Sequence, residues 1–159
     1  MNLTQRCQYA LRALFELARK AEADPGDPVL PSAEIARVQA IPKRFLDGIL
    51  LELRQAGFVD SRRGKAGGFC LARPGAEISV GEVVGFYNGP MTPVDCREGG
   101  ERPCPLKGAC VFESVWTEAR QALEGVYNSI SLAELVARER RLFPMADCAR
   151  VPDAATQGK

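Results

Sequence analysis

"SAEIARVQAIPKRFLDGILLELRQAGFVDSRRGKAGGFCLA", residues 32–72, decides the fold. Ser32 is placed to cap a short helix over AEIARVQA. Pro42 opens a second helix. Phe45, Leu46, Ile49, Leu50 and Leu53 recur at helical spacing as its buried stripe, and Gly57 ends it. Two short helices joined by a tight turn make a helix-turn-helix. FVDSRR, GKAGG and FCLA then read as strand, turn and return strand. That order is a winged helix.

Toward the N-terminus, Thr4 caps a helix whose apolar positions Cys7, Ala10, Leu11, Leu14, Leu17, Ala18 and Ala21 recur at three and four. Its end is set by EADPGDPVLP, rich in proline. Toward the C-terminus, Ser79 with Glu82 and Ser131 with Glu134 form capping boxes that start two further helices. Between them a long helix is expected from Cys110 to about Asn128. Val111, Phe112, Val115, Trp116, Ala119, Ala122, Leu123, Val126 and Tyr127 lie on one side of it. An apolar face of that size, led away from the winged-helix core, calls for a partner, and a helix pair across a two-fold axis would cover it. The expected fold is therefore mainly α with a small β-hairpin: a winged helix-turn-helix with a long C-terminal dimerisation helix. The expected division is a winged helix-turn-helix at residues 1–90, a cysteine-rich loop at 91–110, dimerisation helices at 110–143, and a tail at 144–159 without periodicity, expected to be disordered.

Composition narrows the function. The chain has 159 residues and 46% hydrophobic content, enough for a core that does not depend on metal. Its net charge of +1 is unevenly spread. Residues 1–75 carry 12 Lys and Arg against 8 Asp and Glu, or +4; residues 76–159 carry 9 against 12, or −3. A basic front half suits a polyanion. There is no histidine, which removes the usual general base and the usual nitrogen ligand of zinc. GKAGG lies between strands and lacks the P-loop spacing, so an enzyme is not expected. The charged N-terminus is no signal peptide and no run is long enough to span a membrane, so a cytoplasmic protein is expected.

In a helix-turn-helix the start of the second helix faces base edges in the major groove. Here that start offers Lys43 and Arg44, with Asp47 one turn on to accept from a cytosine amino group. The wing tip offers Arg62, Arg63 and Lys65 around Gly64, suited to the narrow, negative minor groove. Arg6 and the helix start at Ser32 are candidates for phosphate contacts. Double-stranded DNA is the partner this pattern implies.

CREGGERPCPLKGAC, residues 96–110, holds three of the six cysteines in a segment that cannot form a core. From spacing alone an iron–sulfur cluster, a zinc site and a thiol switch all remain open. Glycines at 99, 100 and 108 let the chain wrap a cluster, and the start of the long helix favours thiolate. Cys70 falls in the return strand and Cys148 in the tail.

The chain resembles the Rrf-type family of bacterial winged-helix regulators. That family includes the iron–sulfur cluster assembly regulator, a nitric-oxide-sensing repressor and the rhizobial iron regulator. The stretches that carry the likeness are LTQRCQYALRAL, SRRGKAGGFCLARP, ISVGEVV, CPLKGAC and SLAELV, which span residues 1 to about 142 in order. The resemblance implies a homodimeric transcription factor, often a repressor, whose DNA affinity depends on an iron–sulfur cluster, [2Fe-2S] or [4Fe-4S]. It implies Cys96, Cys104 and Cys110 as cluster ligands and Arg63 as the wing residue that enters the minor groove. Seven and then five residues separate the cysteines, a spacing most like the rhizobial type. The fourth ligand departs from the pattern. Glu113 stands where the assembly regulator has histidine, and Gln8 where the nitric-oxide type has aspartate. Glu113 is a harder donor that would share a helix face with Cys110. Cys7 is a further candidate, although its place in an apolar stripe points to burial; Gln8 or Cys7 would come from the second protomer, and water, a small thiol or no fourth ligand also remain open.

Overall fold

Thr4 accepts a hydrogen bond from the Cys7 N–H at 3.2 Å and so starts α1, Gln5–Ala23. This cap satisfies one of the four amides left unpaired at a helix start. The computed structural model describes residues 2–64, 66–91, 106 and 108–144. Through them the chain continues as α2 (Ser32–Val38), α3 (Lys43–Gln55), β1 (Val59–Arg62), β2 (Gly68–Leu71), α4 (Val80–Asn88), α5 (Glu113–Asn128) and α6 (Leu132–Leu142).

α1 is the centre of the fold, with α2, α3, α4, α6 and β2 packed around it. Ala10, Leu14 and Leu17 of α1 meet Ile35, Leu46, Ile49, Leu50 and Leu53 in one core, closed by Phe58, Val59, Ile78, Val83, Leu132 and Val136. Fully burying each such aliphatic side chain contributes about 1.5–3 kcal/mol. Phe45, expected in the buried stripe of α3, is not part of this core. It is 49% exposed, because it sits a quarter-turn away from the arc of Leu46, Ile49, Leu50 and Leu53.

The turn between α2 and α3 has an unusual residue at its apex. The Ala40 N–H donates to Arg37 O at 3.3 Å and the Ile41 N–H to Ala36 O at 2.9 Å, the paired bonds of a Schellman turn. The residue at the apex must be left-handed, and Ala40 has φ 47° where glycine is usual. α3 ends the same way, with Gly57 at φ 77° and Phe58 N–H bonded to Leu53 O at 2.9 Å. A buried polar group fixes the first of these turns. Glu16, 2% exposed, is paired with Arg19 and accepts from Gln39 Nε2 at 2.8 Å. Arg12 Nε reaches Gln39 Oε1 at 3.5 Å.

The expected hairpin is present. β1 and β2 pair antiparallel, Val59 opposite Leu71 and Arg62 opposite Gly68. Leu30 adds a bridge to Phe69 on the outer side of β2, through mutual bonds of 2.9 Å. A Cβ on Gly68 would stand 2.4 Å from Leu30 O, so only glycine permits this approach. Both helix starts are capped, Ser79 accepting from the Glu82 N–H and Ser131 from the Glu134 N–H, each at 3.1 Å, while the Glu82 carboxylate pairs with Arg73 and the Glu134 carboxylate with Arg138 and Arg141. Ser32 does not act as a cap. α2 begins at Ser32 itself, and the capping position falls on Pro31, whose fixed φ of −61° sets the extended entry.

Candidate nucleic-acid interface and cysteine segment

The first turn of α3 presents its cations to solvent. Lys43, Arg44, Phe45 and Asp47 are all exposed, while Leu46 between them is buried. Lys43 Nζ lies 2.5 Å from Asp47 Oδ1, one turn along the helix. Such an exposed pair contributes no more than about 1 kcal/mol, so either partner can leave it for a base edge or a phosphate. The Arg44 guanidinium lies over the Phe45 ring, 4.8 Å from its centroid.

Arg6, a phosphate candidate by sequence, is occupied. Its Nε and Nη2 donate to the two Glu52 oxygens at 3.1 and 2.6 Å, tying the start of α1 to α3. Arg6 and Glu52 are 46 positions apart, so no local signal could have announced the pair. Tyr87 of α4 lies beside them. Burial first, and then the Glu52 carboxylate, hold its phenol above the ordinary range and therefore neutral. Ser32 is half-buried at the first position of α2.

On the hairpin, Arg62 pairs with Asp27 at 3.2 Å. Arg63 is exposed and has no acidic partner among the described residues. Gly64 turns the chain at φ 105° and the Gly67 N–H closes the turn on Gly64 O at 2.9 Å. Lys65 lies outside the described residues.

Cys96 and Cys104 also lie outside the described residues. Cys110 is a free, partly exposed thiol. The long helix starts at Glu113, later than expected, so Cys110 and Glu113 do not share a helix face. They stay adjacent through a turn in which the Glu113 N–H donates to Cys110 O at 3.2 Å. Cys110 offers a thiol and Glu113 an exposed carboxylate, donors that iron and zinc both accept, and among the described residues no group of three or more such donors comes together. Of the other fourth-ligand candidates, Gln8 is exposed, its Nε2 donating to Leu3 O at 3.1 Å. Cys7 is fully buried with Val84 and Met91, and burial pushes its thiol pKa up. It is therefore a core residue, with no free surface to offer a ligand.

α5 has no buried residue. Trp116, Leu123 and Tyr127 are half-covered on the side packed against α4. There Gly81 allows close approach, since a Cβ on it would stand 1.9 Å from Asn128 Oδ1. The neighbouring flank of the same apolar side, about a quarter-turn round from Trp116, carries Phe112 just before the helix, then Val115, Ala119, Ala122 and Val126, spaced by three and four as in a coiled-coil seam. Phe112, Val115 and Val126 are 56, 49 and 56% exposed.

A family model described as an iron-dependent transcriptional regulator, Rrf2, matches residues 3–138. The chain belongs to the Rrf2 family. Among relatives, the HTH-type transcriptional repressor NsrR of Streptomyces coelicolor is 34% identical over 137 residues, 86% of this chain and 89% of that protein. Among solved structures, CymR, the global cysteine regulator of B. subtilis, has a TM-score of 0.69 at 28% identity and covers 87% of this chain and 98% of its own. IscR of T. potens also gives 0.69, at 26% identity over 89% of this chain and 90% of its own. As an Rrf2 protein the chain is a DNA-binding transcription regulator of winged-helix fold and not an enzyme. Among its described residues, no helix is long and apolar enough to cross a membrane.

Proposed function

We propose that this Rrf2 protein is a homodimeric cytoplasmic repressor whose operator affinity is set by an iron–sulfur cluster held by Cys96, Cys104 and Cys110, with Glu113 as fourth ligand. Residues 1–90 read DNA, 91–110 hold the cluster, 110–143 pair the protomers and 144–159 form a tail. Lys43, Arg44 and Asp47 face base edges, and Arg62, Arg63 and Lys65 enter the minor groove. One observation carries this reading: Cys110 leads through a single turn into α5, the helix without a buried residue. Whatever orders Cys110 therefore acts at the root of the proposed dimer contact.

The cluster supplies an inorganic centre that reacts to iron supply, oxidants or nitric oxide. The chain does the rest. Cys110 and the turn to Glu113 fix where α5 begins, α5 fixes how two protomers meet, and that sets the distance between two α3 helices. Half-sites lie about one DNA turn apart, roughly 34–36 Å, so a change in that distance is a change in affinity. A coupling of ~1–3 kcal/mol changes affinity about 5- to 150-fold.

The test is anaerobic purification. Brown protein with visible absorption, lost in Cys104→Ala, is expected, and Glu113→Gln should shorten the cluster's lifetime. Colourless protein with stoichiometric zinc would overturn the cluster and favour a zinc-bearing regulator. The likeness to CymR, a cysteine regulator, supports a second reading, a thiol-based sensor without metal. Metal-free protein whose operator binding changes on thiol oxidation would establish it.

A further inference from the structure

We infer that Phe45 is a specificity residue that reads the 5-methyl group of a thymine next to the base read by Arg44. This rests on the proposed DNA-reading role of α3 and goes beyond it by naming a base and a residue.

Phe45 stands in the first turn of α3, where sequence periodicity alone would bury it, yet the ring is 49% exposed. Single exposed apolar residues are ordinary on protein surfaces and need no explanation. Two features set this one apart. Its neighbours in the first turn, Lys43, Arg44 and Asp47, are all exposed and polar, the kind of side chain that meets DNA. The guanidinium of Arg44 lies over the ring at 4.8 Å, a contact worth about 0.5–1 kcal/mol at an exposed site, which favours the cation and the aromatic face side by side.

In the major groove thymine is the one base with a methyl group, and an apolar side chain is what recognises it. Guanine offers two acceptors to a forked guanidinium. A separation of 4.8 Å between guanidinium and ring centroid falls between one and two base-pair rises of about 3.4 Å. An Arg44 docked on guanine thus brings the ring over a neighbouring base pair. Contact there removes water from both the ring and the methyl group, whereas cytosine offers a polar amino group to an apolar face. The preferred step is a guanine beside a thymine on either strand.

The test uses full-length protein and an operator obtained by selection from random duplex DNA. Each thymine is replaced in turn by deoxyuridine, which lacks only the methyl group, and Kd is read by fluorescence anisotropy at fixed salt. One thymine in each half-site, adjacent to the guanine whose replacement matters least in Arg44→Ala, should weaken binding about fourfold, the value of one buried methyl group. In Phe45→Ala the same replacement should change Kd by less than about half that factor, while Phe45→Leu should keep part of the effect. Circular dichroism checks folding, and the leucine variant decides the matter if the alanine variant unfolds. If no deoxyuridine weakens binding, or one weakens wild type and Phe45→Leu and Phe45→Ala alike, the inference falls. If Lys43→Ala/Arg44→Ala also keeps selective binding, the placement of the reading helix falls with it; if that variant loses binding, only the role of Phe45 is withdrawn.

Discussion

Substitution of Val115 measures what α5 does. Val115→Ala removes two methyl groups, each worth about 0.8 kcal/mol on full transfer from water. The residue is 49% exposed, so pairing covers only about half of that surface. The loss on association is about 0.8 kcal/mol per protomer, and a two-fold axis doubles it to about 1.6. At 1.4 kcal/mol per decade the dimer Kd rises about fifteenfold. Val115→Asp is harsher, because desolvating a carboxylate costs several kcal/mol and occurs twice, so the dimer should be lost at micromolar concentration. Sedimentation velocity across a dilution series reads both values. Gln121→Glu, also exposed on α5 but off the Phe112–Val115–Ala119–Ala122–Val126 seam, should leave the dimer unchanged. A dimer that persists in Val115→Asp would refute the assignment of this face.

Three further outcomes are expected. Arg63→Ala should weaken binding evenly across operator sequences and lower the slope of log K against log salt by about one, measured by anisotropy titration. Ala40→Gly should stabilise the fold by about 1 kcal/mol in urea unfolding, because it relieves a left-handed alanine, whereas Glu16→Ala should destabilise it by about 1.5–3 kcal/mol through loss of the Arg19 and Gln39 bonds. In the metal-free native protein, iodoacetamide should label Cys110 well before Cys7, because burial keeps the Cys7 thiol protonated as well as covered; mass spectrometry of the digest reads the order.

What could be read from sequence was local. Thr4, Ser79 and Ser131 announce helix starts because a cap and the amide it serves lie within one turn, and all three bonds form. Gly57 announces a helix end because few other residues accept a left-handed φ. The arc of Leu46, Ile49, Leu50 and Leu53 follows from helical period, and so does the winged-helix order. Periodicity failed at the edge of that arc, where Phe45 is a single step too far round, and at Ser32, where a preceding proline took the capping place.

Tertiary structure decided the rest. The ion pair of Arg6 with Glu52 and the bond of Gln39 to Glu16 join residues far apart in the chain, and nothing in either segment marks its partner. The same holds for Ala40: its sequence looks helical, yet it is left-handed where α2 turns to pack on α3, beside the bond of Gln39 to Glu16. Sequence determined that α5 would be apolar along one side; folding determined which part of that side α4 covers and which part stays open. Periodicity and capping act over a few residues through the backbone, whereas burial and long-range pairing exist only once distant segments have met.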